Sequence, residues 1–380
     1  MVRRSALRVL ITNFTLTGRS GSELYAAEVA EALIARGHAP VLYTPSPGRL
    51  ARELQARAIP VTSDLRTIAE PPDILHGQHT HEMITALLAF PGIPAVQVHH
   101  GWVEAPPVAF PRIRLHVAVD DTVRERLVSE FGIPPERIEV IRNFVDPRRL
   151  PPRGPLPPRP LRALVFSNSA DHHIRPVRAA CAAHGIQVDA AGADVGRVME
   201  DPGAILGRYD VVFAKARCAM EALATGAAVV LCDRAGLGPM VRAENFDELR
   251  RLNFGLRTLR AAITPEAVAQ RLAEYDAADA ALVSARMRSE GRIDVAIDQL
   301  IDVYERVTSE WRESGRDDPA HELRCAAAYL QRITSEPPPR VAAGALLKDS
   351  YFRLRTLPGA RWLLPRPAAA LRMYRAIRRT

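Results

Sequence analysis

The segment DVVFAKARCAMEALATGAAVVLCD carries two cations between an apolar run and a helical pattern. Lys215 and Arg217 lie in a polar loop between a strand predicted over Val211–Ala214 and a helix predicted over Cys218–Thr225. A helix N-terminus exposes backbone amides that attract anions, and neighbouring cations add to that attraction. This order of strand, basic loop and helix predicts a phosphate site where the strand ends.

Glu221 falls in the first turn of the predicted helix, which Gly226 would close. Its carboxylate can accept hydrogen bonds from the hydroxyl groups of a ribose. The alternative is structural: Glu221 would only complement the positive end of the helix dipole, and the two cations would be solvated. We favour the phosphate site because such sites commonly use this arrangement.

A second candidate anion site is the turn TLTGRSGSE, which follows the first predicted strand and leads into a helix. Gly18 and Gly21 allow unusual backbone angles and a close approach of a ligand. The alternative is a flexible strand-to-helix turn in which Ser20 or Ser22 caps the helix. The glycine spacing is not GxGxxG, which argues against a dinucleotide-binding protein such as a NAD-dependent dehydrogenase.

Several histidines fall at predicted strand ends, in DILHGQHTHE (His76, His79, His81) and in VQVHHGW (His99, His100). A His-x-His pair is compatible with metal binding, but no carboxylate-rich or cysteine partner lies nearby. We expect structural hydrogen bonds for His76 and His79. We expect a ligand contact for His100, because Gly101 opens space beside it. The four cysteines have no CxxC spacing and are expected to be reduced thiols, as in the cytosol.

These candidate residues need a scaffold that brings strand ends together, and the chain alternates apolar strands with helical patterns. The clearest helix, Gly21–Arg36, has one broad apolar face and a glycine stop at Gly37. Strands are predicted in the first half at Arg8–Asn13, Pro40–Tyr43, Ile74–His76, Ala95–His99, Leu115–Val119 and Ile138–Ile141. Open parallel sheets bind ligands at the carboxyl ends of their strands, which is where the candidate residues lie.

Residues 147–160, PRRLPPRGPLPPRP, contain too many prolines for a helix or a sheet interior and predict an exposed linker. Strands resume at Leu161–Ser167, Val188–Ala191, Val211–Ala214 and Val229–Asp233, and the chain is mostly helical from about Pro265. These patterns predict an α/β fold of two Rossmann-like domains that face each other across a cleft. The predicted boundaries are 1–146, a linker over 147–160, a second domain over 161–310 and a helical, basic C-terminal extension over 311–380.

The chain has 380 residues and a formal net charge of +8, and much of the excess lies at one end. From Arg340 onwards it has ten Lys or Arg residues and one acid, Asp349. A nucleic-acid-binding protein more often spreads positive charge over a folded face, so no nucleic-acid partner is expected. Residues 341–380 interleave arginines with aromatic and aliphatic side chains, which suits peripheral contact with an anionic membrane. Packing against the protein body is the favoured alternative.

No apolar run is long enough to span a bilayer, and the short apolar run after the N-terminal arginines is better explained as a strand than as a signal peptide. The predicted location is the cytoplasm, with the inner face of the membrane as the peripheral alternative.

In order and spacing, five segments together resemble GT-B glycosyltransferases, closest to the family-4-like group. Their counterparts in the family are the glycine-rich turn followed by ARGH, the DVVHAH strand end, an HG pair, the RERL to VIPNGVD stretch and LEAMACGLPVVASD. In this chain they are Gly18–Glu23 with Ala35–His38, Asp73–His79, His100–Gly101, Thr122–Asp146 and Met220–Asp233. The similarity covers roughly residues 8–310.

The resemblance implies a GT-B fold, with the acceptor on the N-terminal domain and a nucleotide-sugar donor on the C-terminal domain. It implies that His100 touches the transferred sugar, as the catalytic candidate, and that Glu221 binds the donor ribose. Gly18 and Gly21 would approach the donor diphosphate or the reacting sugar. The backbone at Cys218, Ala219 and Met220 would face the phosphates.

The chain departs from the family pattern in two places. The family carries two glutamates in an E-x7-E arrangement, but counting back from Glu221 reaches Phe213, inside a strand. The family's GRL…KG stretch is replaced here by FSNSADHHIR, which contains Asn168 and Arg175. Asn168 is therefore a further donor-binding candidate, and Arg175, Lys215 and Arg217 would supply the positive charge.

The predicted activity is transfer of a sugar from a nucleotide-diphosphate sugar to a carbohydrate or lipid-linked acceptor, in polysaccharide or glycoconjugate biosynthesis. The chain has no D-x-D motif, so a helix dipole and cations would stabilise the leaving diphosphate without a metal or another cofactor. The resemblance favours retention at the anomeric carbon. The alternatives are a nucleotide-sugar 2-epimerase on the same scaffold and a noncatalytic nucleotide-sugar-binding protein.

Overall fold

The structure is a computed structural model that describes residues 6–101, 110–314 and 318–335. The chain divides into two compact units, residues 1–317 and residues 318–380. The first unit contains two β-sheets, each flanked by helices, and so has the predicted α/β class with two Rossmann-like halves.

The first half is built on a seven-stranded parallel sheet in the order β3-β2-β1-β4-β5-β6-β7. Its strands are β1 (Arg8–Thr12), β2 (Ala39–Tyr43), β3 (Val61–Thr62), β4 (Ile74–Gly77), β5 (Ala95–His99), β6 (Ile113–Ala118) and β7 (Ile138–Val140). Each strand predicted in this half is present, and only β3 was not predicted. The strand order reverses direction between β1 and β4, which makes the carboxyl ends of these two strands the expected binding crevice.

Among the described residues of this half, the α-helices between the strands are α1 (Gly21–Ala35), α2 (Arg49–Ala56), α3 (Thr80–Ala89) and α4 (Asp121–Ser129). Helix α1 confirms the clearest helix predicted from the sequence. It buries Tyr25, Val29 and Leu33 in the first hydrophobic core. Its N-terminus is fixed by Ser20 and Glu23, whose side chains form a capping box.

The second half is built on a five-stranded sheet in the order β12-β11-β10-β8-β9, in which β12 alone is antiparallel. Its strands are β8 (Arg162–Phe166), β9 (Gln187–Ala191), β10 (Val211–Ala214), β11 (Ala228–Asp233) and β12 (Gly236–Met240). Its helices are α5 (Ile174–Ala183), α6 (Gly203–Leu206), α7 (Ala216–Thr225), α8 (Phe246–Arg251), α9 (Pro265–Leu272), α10 (Ala277–Glu290) and α11 (Ile293–Ser314). The four predicted strands are confirmed, and β12 was not predicted.

The chain crosses between the two halves twice. The first crossing leads into residues 147–160, which contain neither helix nor strand. The second crossing returns through α11, which buries Ile297, Leu300 and Tyr304 in the first core. Backbone hydrogen bonds join the crossings: Val145 donates to Gly291 and accepts from Ile293, both at 2.8 Å. Two hydrogen-bonded segments of the chain therefore connect the halves.

The second unit contains helix α12 (Pro319–Ser335), which ends immediately before the EPPP sequence. Residues 341–380, for which membrane contact was considered, lie outside the described residues. No helix within the described residues combines the length and the apolarity that crossing a membrane would require.

Candidate functional site

Helix α7 begins two residues earlier than the sequence predicted. Lys215 is its N-cap and Arg217 is its second residue, so Glu221 lies in the second turn instead of the first. Ala216, the first residue of the helix, adopts a left-handed conformation with φ of 48° and donates its amide hydrogen to Phe254 O at 2.9 Å. Dipole complementation acts mainly within the first turn, so it does not explain the position of Glu221.

Arg217 joins the two halves of the molecule. Its Nη1 and Nη2 donate to Glu28 Oε2 and Oε1 of helix α1, at 3.0 and 2.5 Å, and its Nε donates to Glu221 Oε1 at 2.8 Å. Both carboxylates are buried, with relative exposures of 4% and 7%. The bidentate contact fits the guanidinium fork. Arg217, predicted as a donor-binding residue, therefore bridges two acids in this structure.

The pKa values of this trio reflect burial and charge together. Burial acts to lower the pKa of Arg217, but Glu28 and Glu221 outweigh it and hold the pKa above its usual value. Burial raises the pKa of Glu221, although Arg217 acts in the opposite direction. Arg217 therefore offsets part of the effect of burial on the pKa of Glu221.

Lys215 also has an internal partner. Its Nζ lies 2.8 Å from Asp233 Oδ2, at the end of β11, and Asp233 Oδ1 accepts from Ser169 Oγ at 2.7 Å. Burial acts to raise the pKa of Asp233, but Lys215 and the other hydrogen bonds lower it overall. These contacts tie the start of α7 to the ends of β8 and β11.

A cleft of about 220 Å³ lies between the two halves, beside the Arg217 bridge. Residues of the first half that line it include Arg19, Gly21 and Glu28, and residues of the second half include Asn168, Gly192, Arg217, Cys218 and Glu221. Gly192 has φ of 154°, and a Cβ there would lie 1.7 Å from Ser167 O, so only glycine fits. The predicted candidates Gly21, Asn168, Arg217, Cys218 and Glu221 are thus brought to one cleft.

Gly18 lies in the predicted turn but serves another purpose. Its amide donates to Glu23 Oε1 at 2.8 Å, and the amide of Ser20 donates to Glu23 Oε2 at 2.7 Å. Glu23 is 2% exposed. The amides that the sequence suggested for a phosphate therefore hold a carboxylate of the same chain.

His100 lines a neighbouring cavity of about 140 Å³ together with Gly101 and Lys215. The ring of Tyr25 packs edge-on against His100, with ring centroids 4.5 Å apart. His76 matches the structural role predicted for it: it is fully buried and its Nδ1 is hydrogen-bonded to the Tyr304 hydroxyl. Burial, followed by the neighbouring His100, lowers the pKa of His76 to about 3.

Five donor-binding candidates do not line the cleft: Gly18 and Lys215, whose contacts are described above, and Arg175, Ala219 and Met220. Arg175 is exposed at the second position of α5. Ala219 and Met220 are fully buried in the core of the second half. Cys218, by contrast, lines the cleft, and burial raises the pKa of its thiol to about 12, which keeps it protonated.

The sequence did not single out Glu28, Asp233 or Arg19. Glu28 lies within the predicted helix Gly21–Arg36, and the structure buries it. In the sequence, the signal for Glu28 was an acidic residue among the apolar residues of that helix. Within the described residues, no three His, Cys, Asp or Glu side chains converge as a metal site would require.

Comparison with known proteins agrees with this architecture. Residues 19–149 match the family described as Glycosyltransferase Family 4. The fold is similar to that of a glycosyltransferase from Rickettsia africae, with a TM-score of 0.61 and 15% identity over 80% of this chain and 99% of that chain. It is also similar to HepE from Anabaena, solved with UDP and glucose, with a TM-score of 0.53 and 14% identity over 78% of this chain and 98% of that one. Among curated proteins, none matches the chain.

A third similar structure is sucrose-phosphate synthase from Thermosynechococcus elongatus, with a TM-score of 0.51 and 10% identity over 80% of this chain and 100% of that one. The fold is therefore the GT-B fold of two Rossmann-like domains facing across a cleft. The resemblance to family-4-like GT-B glycosyltransferases that the sequence indicated is confirmed.

Proposed function

We propose that the protein is a glycosyltransferase that transfers a sugar from a nucleotide-diphosphate sugar to a hydroxyl of a carbohydrate or lipid-linked acceptor. The observation that carries the proposal is the cleft, where Glu221 and Asn168 of the second half lie with Gly21 and Arg19 of the first half. Open α/β sheets bind ligands at this edge. The similar fold of HepE, solved with UDP and glucose, supports a uridine nucleotide as the first donor to test.

In the proposed complex, the diphosphate lies against the first turn of α7. The amides of Arg217 and Cys218 belong to that turn, where helical geometry supplies no acceptor, and they favour a negative charge. Among the described residues only Arg217 donates to Glu221, at Oε1, which leaves Oε2 for a ribose hydroxyl. Arg19 adds positive charge from the opposite side of the cleft.

The proposed chemistry is departure of the nucleoside diphosphate from the anomeric carbon and attack by the acceptor hydroxyl. Negative charge develops on the leaving diphosphate, and the fixed α7 amides with Arg217 and Lys215 would stabilise it, so the proposed reaction needs no metal. His100, in the adjoining cavity beside Lys215, would contact the transferred sugar. Retention of the anomeric configuration is the expected outcome.

A thermal-shift screen of UDP-, GDP- and ADP-sugars tests donor binding, because a ligand that binds the folded state raises Tm. We expect one nucleotide class to stabilise the protein and its sugar to be transferred when an acceptor is present, with EDTA leaving the rate unchanged. Glu248→Ala, at an exposed position on α8, is a matched control for cleft variants. No stabilisation by any of the three classes contradicts the proposal.

A second candidate is a noncatalytic nucleotide-sugar-binding protein. It is favoured by the internal carboxylates that engage the Gly18 and Ser20 amides, Arg217 and Lys215. A donor that binds but is never consumed, with any acceptor, would select this candidate. Conversion of the donor sugar without an acceptor would instead select an epimerase.

Peripheral contact of residues 341–380 with an anionic membrane is a further part of the proposal. It is supported by the arginines and aromatic residues of that segment. Sedimentation with anionic vesicles should pull down the full chain but not a chain ending at Ser335. Equal sedimentation of both chains would rule out this contact.

A further inference from the structure

A cavity of about 320 Å³ lies where the chain crosses between the two halves. Arg142 and Phe144 of the first crossing line it, and Arg292 of the second crossing lines its other side. Arg250 and Arg251 of α8 complete the arginine lining. None of its lining residues also lines the donor cleft, so it is a separate site.

Most charges around this cavity are already paired. Arg142 and Arg251 share the carboxylate of Asp121, at 3.3 and 2.7 Å. Arg292 pairs with Asp294 at 2.8 Å. The two acids that line the cavity, Asp247 and Glu290, both pair with Arg286, at 2.6 and 2.8 Å. These pairs contain four arginines and four carboxylates, so they are balanced in charge.

Arg250 is the unbalanced guanidinium. Among the described residues its only oxygen acceptors are backbone carbonyls, those of Asn143 and Glu290, and all of these contacts measure 3.4 Å. Such distances are longer than a normal N–H···O hydrogen bond. Burial, followed by the neighbouring Arg142, lowers the pKa of Arg250 to about 10. The Nε of Arg142 is buried beside it and has no hydrogen-bond partner among the described residues.

We propose that this cavity binds a phosphate group, held between Arg250 and Arg142 with Arg251 and Arg292 around it. Guanidinium groups that approach from several sides suit a tetrahedral oxyanion, whose oxygens accept in several directions, better than a planar carboxylate. The bound phosphate supplies the close oxygen acceptor that Arg250 lacks. The cavity volume leaves room for a free phosphate or a small phosphate monoester.

The position of the site gives binding a mechanical consequence. Arg142 precedes the linker and follows the first sheet, whereas Arg250 belongs to the second half. A phosphate bridging the two guanidinium groups fastens the halves together at their connection, and so resists their separation during donor entry and product release. The ligand would act on opening without touching the donor.

Calorimetric titration with inorganic phosphate, at constant ionic strength, tests the site, and a parallel titration with glycerol 3-phosphate distinguishes a free phosphate from a monoester. We expect Arg250→Met to weaken binding at least tenfold. Arg178→Met, which removes one exposed charge from α5, should leave binding unchanged. Unchanged affinity in Arg250→Met, or equal loss in Arg178→Met, would overturn the proposal.

Two further variants keep the test valid if Arg250→Met fails to fold. Arg250→Lys retains the charge but not the guanidinium fork, and should weaken phosphate binding several-fold. Glu290→Gln removes a negative charge from the lining of the cavity, and should tighten phosphate binding several-fold. Loss of stability cannot produce a tighter site, so failure of Glu290→Gln to tighten binding, together with unchanged affinity in Arg250→Lys, also overturns the proposal.

Discussion

Two strand-to-helix turns face the cleft, and they differ in whether a carboxylate of the chain is hydrogen-bonded to their backbone amides. In the turn between β1 and α1, the amides of Gly18 and Ser20 hold the buried carboxylate of Glu23. In the turn between β10 and α7, no carboxylate of the described residues is hydrogen-bonded to the first-turn amides of Arg217 and Cys218. Both turns attract anions by the same physics. In the first turn the carboxylate of Glu23 occupies the anion position, whereas the amides of the second turn are available to the anion of a ligand.

The comparison extends to the cations. Lys215 and Arg217 hold carboxylates with their side chains, and Arg217 reaches across to Glu28 of the other half. The turn proposed to bind the donor is therefore also a tie between the halves. A ligand that enters here must share Arg217 with two acids, which couples donor binding to the relative position of the halves.

The largest effect is expected when the contact of Arg217 with Glu28 and Glu221 is removed. Arg217→Met leaves two buried carboxylates without their cation and should lower the free energy of unfolding by about 3–5 kcal/mol. Urea denaturation measures the change, with Arg178→Met as the matched control. A loss below about 1 kcal/mol would show that the tie contributes little to stability.

Removal of the internal anion should have the next largest effect. Glu23→Ala leaves the Gly18 and Ser20 amides without their acceptor and should lower the free energy of unfolding by about 2–4 kcal/mol. Glu23→Gln keeps one acceptor oxygen and should lose less. If Glu23→Ala instead created a phosphate site without loss of stability, the two turns would be interchangeable and the contrast between them would fail.

A third variant tests the difference between the two turns through donor affinity, because it should change ligand binding more than stability. Glu221→Ala should weaken nucleotide-sugar binding by about 1.5–3 kcal/mol, the range for a hydrogen bond to a charged group. Glu248→Ala should bind as the unchanged protein does. Calorimetric titration with the donor found in the thermal-shift screen measures both, and unchanged affinity in a folded Glu221→Ala protein removes Glu221 from the site.

The smallest expected effect is on the stability of the protein at acidic pH. Folding lowers the pKa of Asp233, so its contribution to stability is present above the pKa of the unfolded state and is lost as the pH falls through the folded-state value. When the pH falls from about 5 to about 3, the free energy of unfolding should therefore decrease less in Asp233→Asn than in the unchanged protein. The two decreases should differ by about 1 kcal/mol or less. Parallel denaturation curves at both pH values give the difference. An identical acid sensitivity would show that the Lys215 pair has no linkage to folding.

The parallel strands were predictable because each is a short apolar run, and burial on both faces of a parallel sheet demands that composition. Strand β12 was not, because GLGPM contains two glycines and a proline, which have low β-propensity. It forms by pairing with β11 and by close approach to residues that lie later in the chain: a Cβ at Gly238 would lie 2.9 Å from Thr258 O. The start of α7 was also missed; there the Ala216 amide donates to Phe254, another residue that lies later in the chain.

The sequence by itself determined which residues lie at strand ends. Strand and helix patterns depend on neighbours within a few positions, so Gly21, Asn168, Arg217 and Glu221 could be assigned to one edge of each sheet. Only the tertiary structure decided which charges meet. Arg217 and Glu28 are 189 positions apart in the chain, and whether an arginine is free for a ligand or held by an acid depends on distances of a few ångströms that only folding creates.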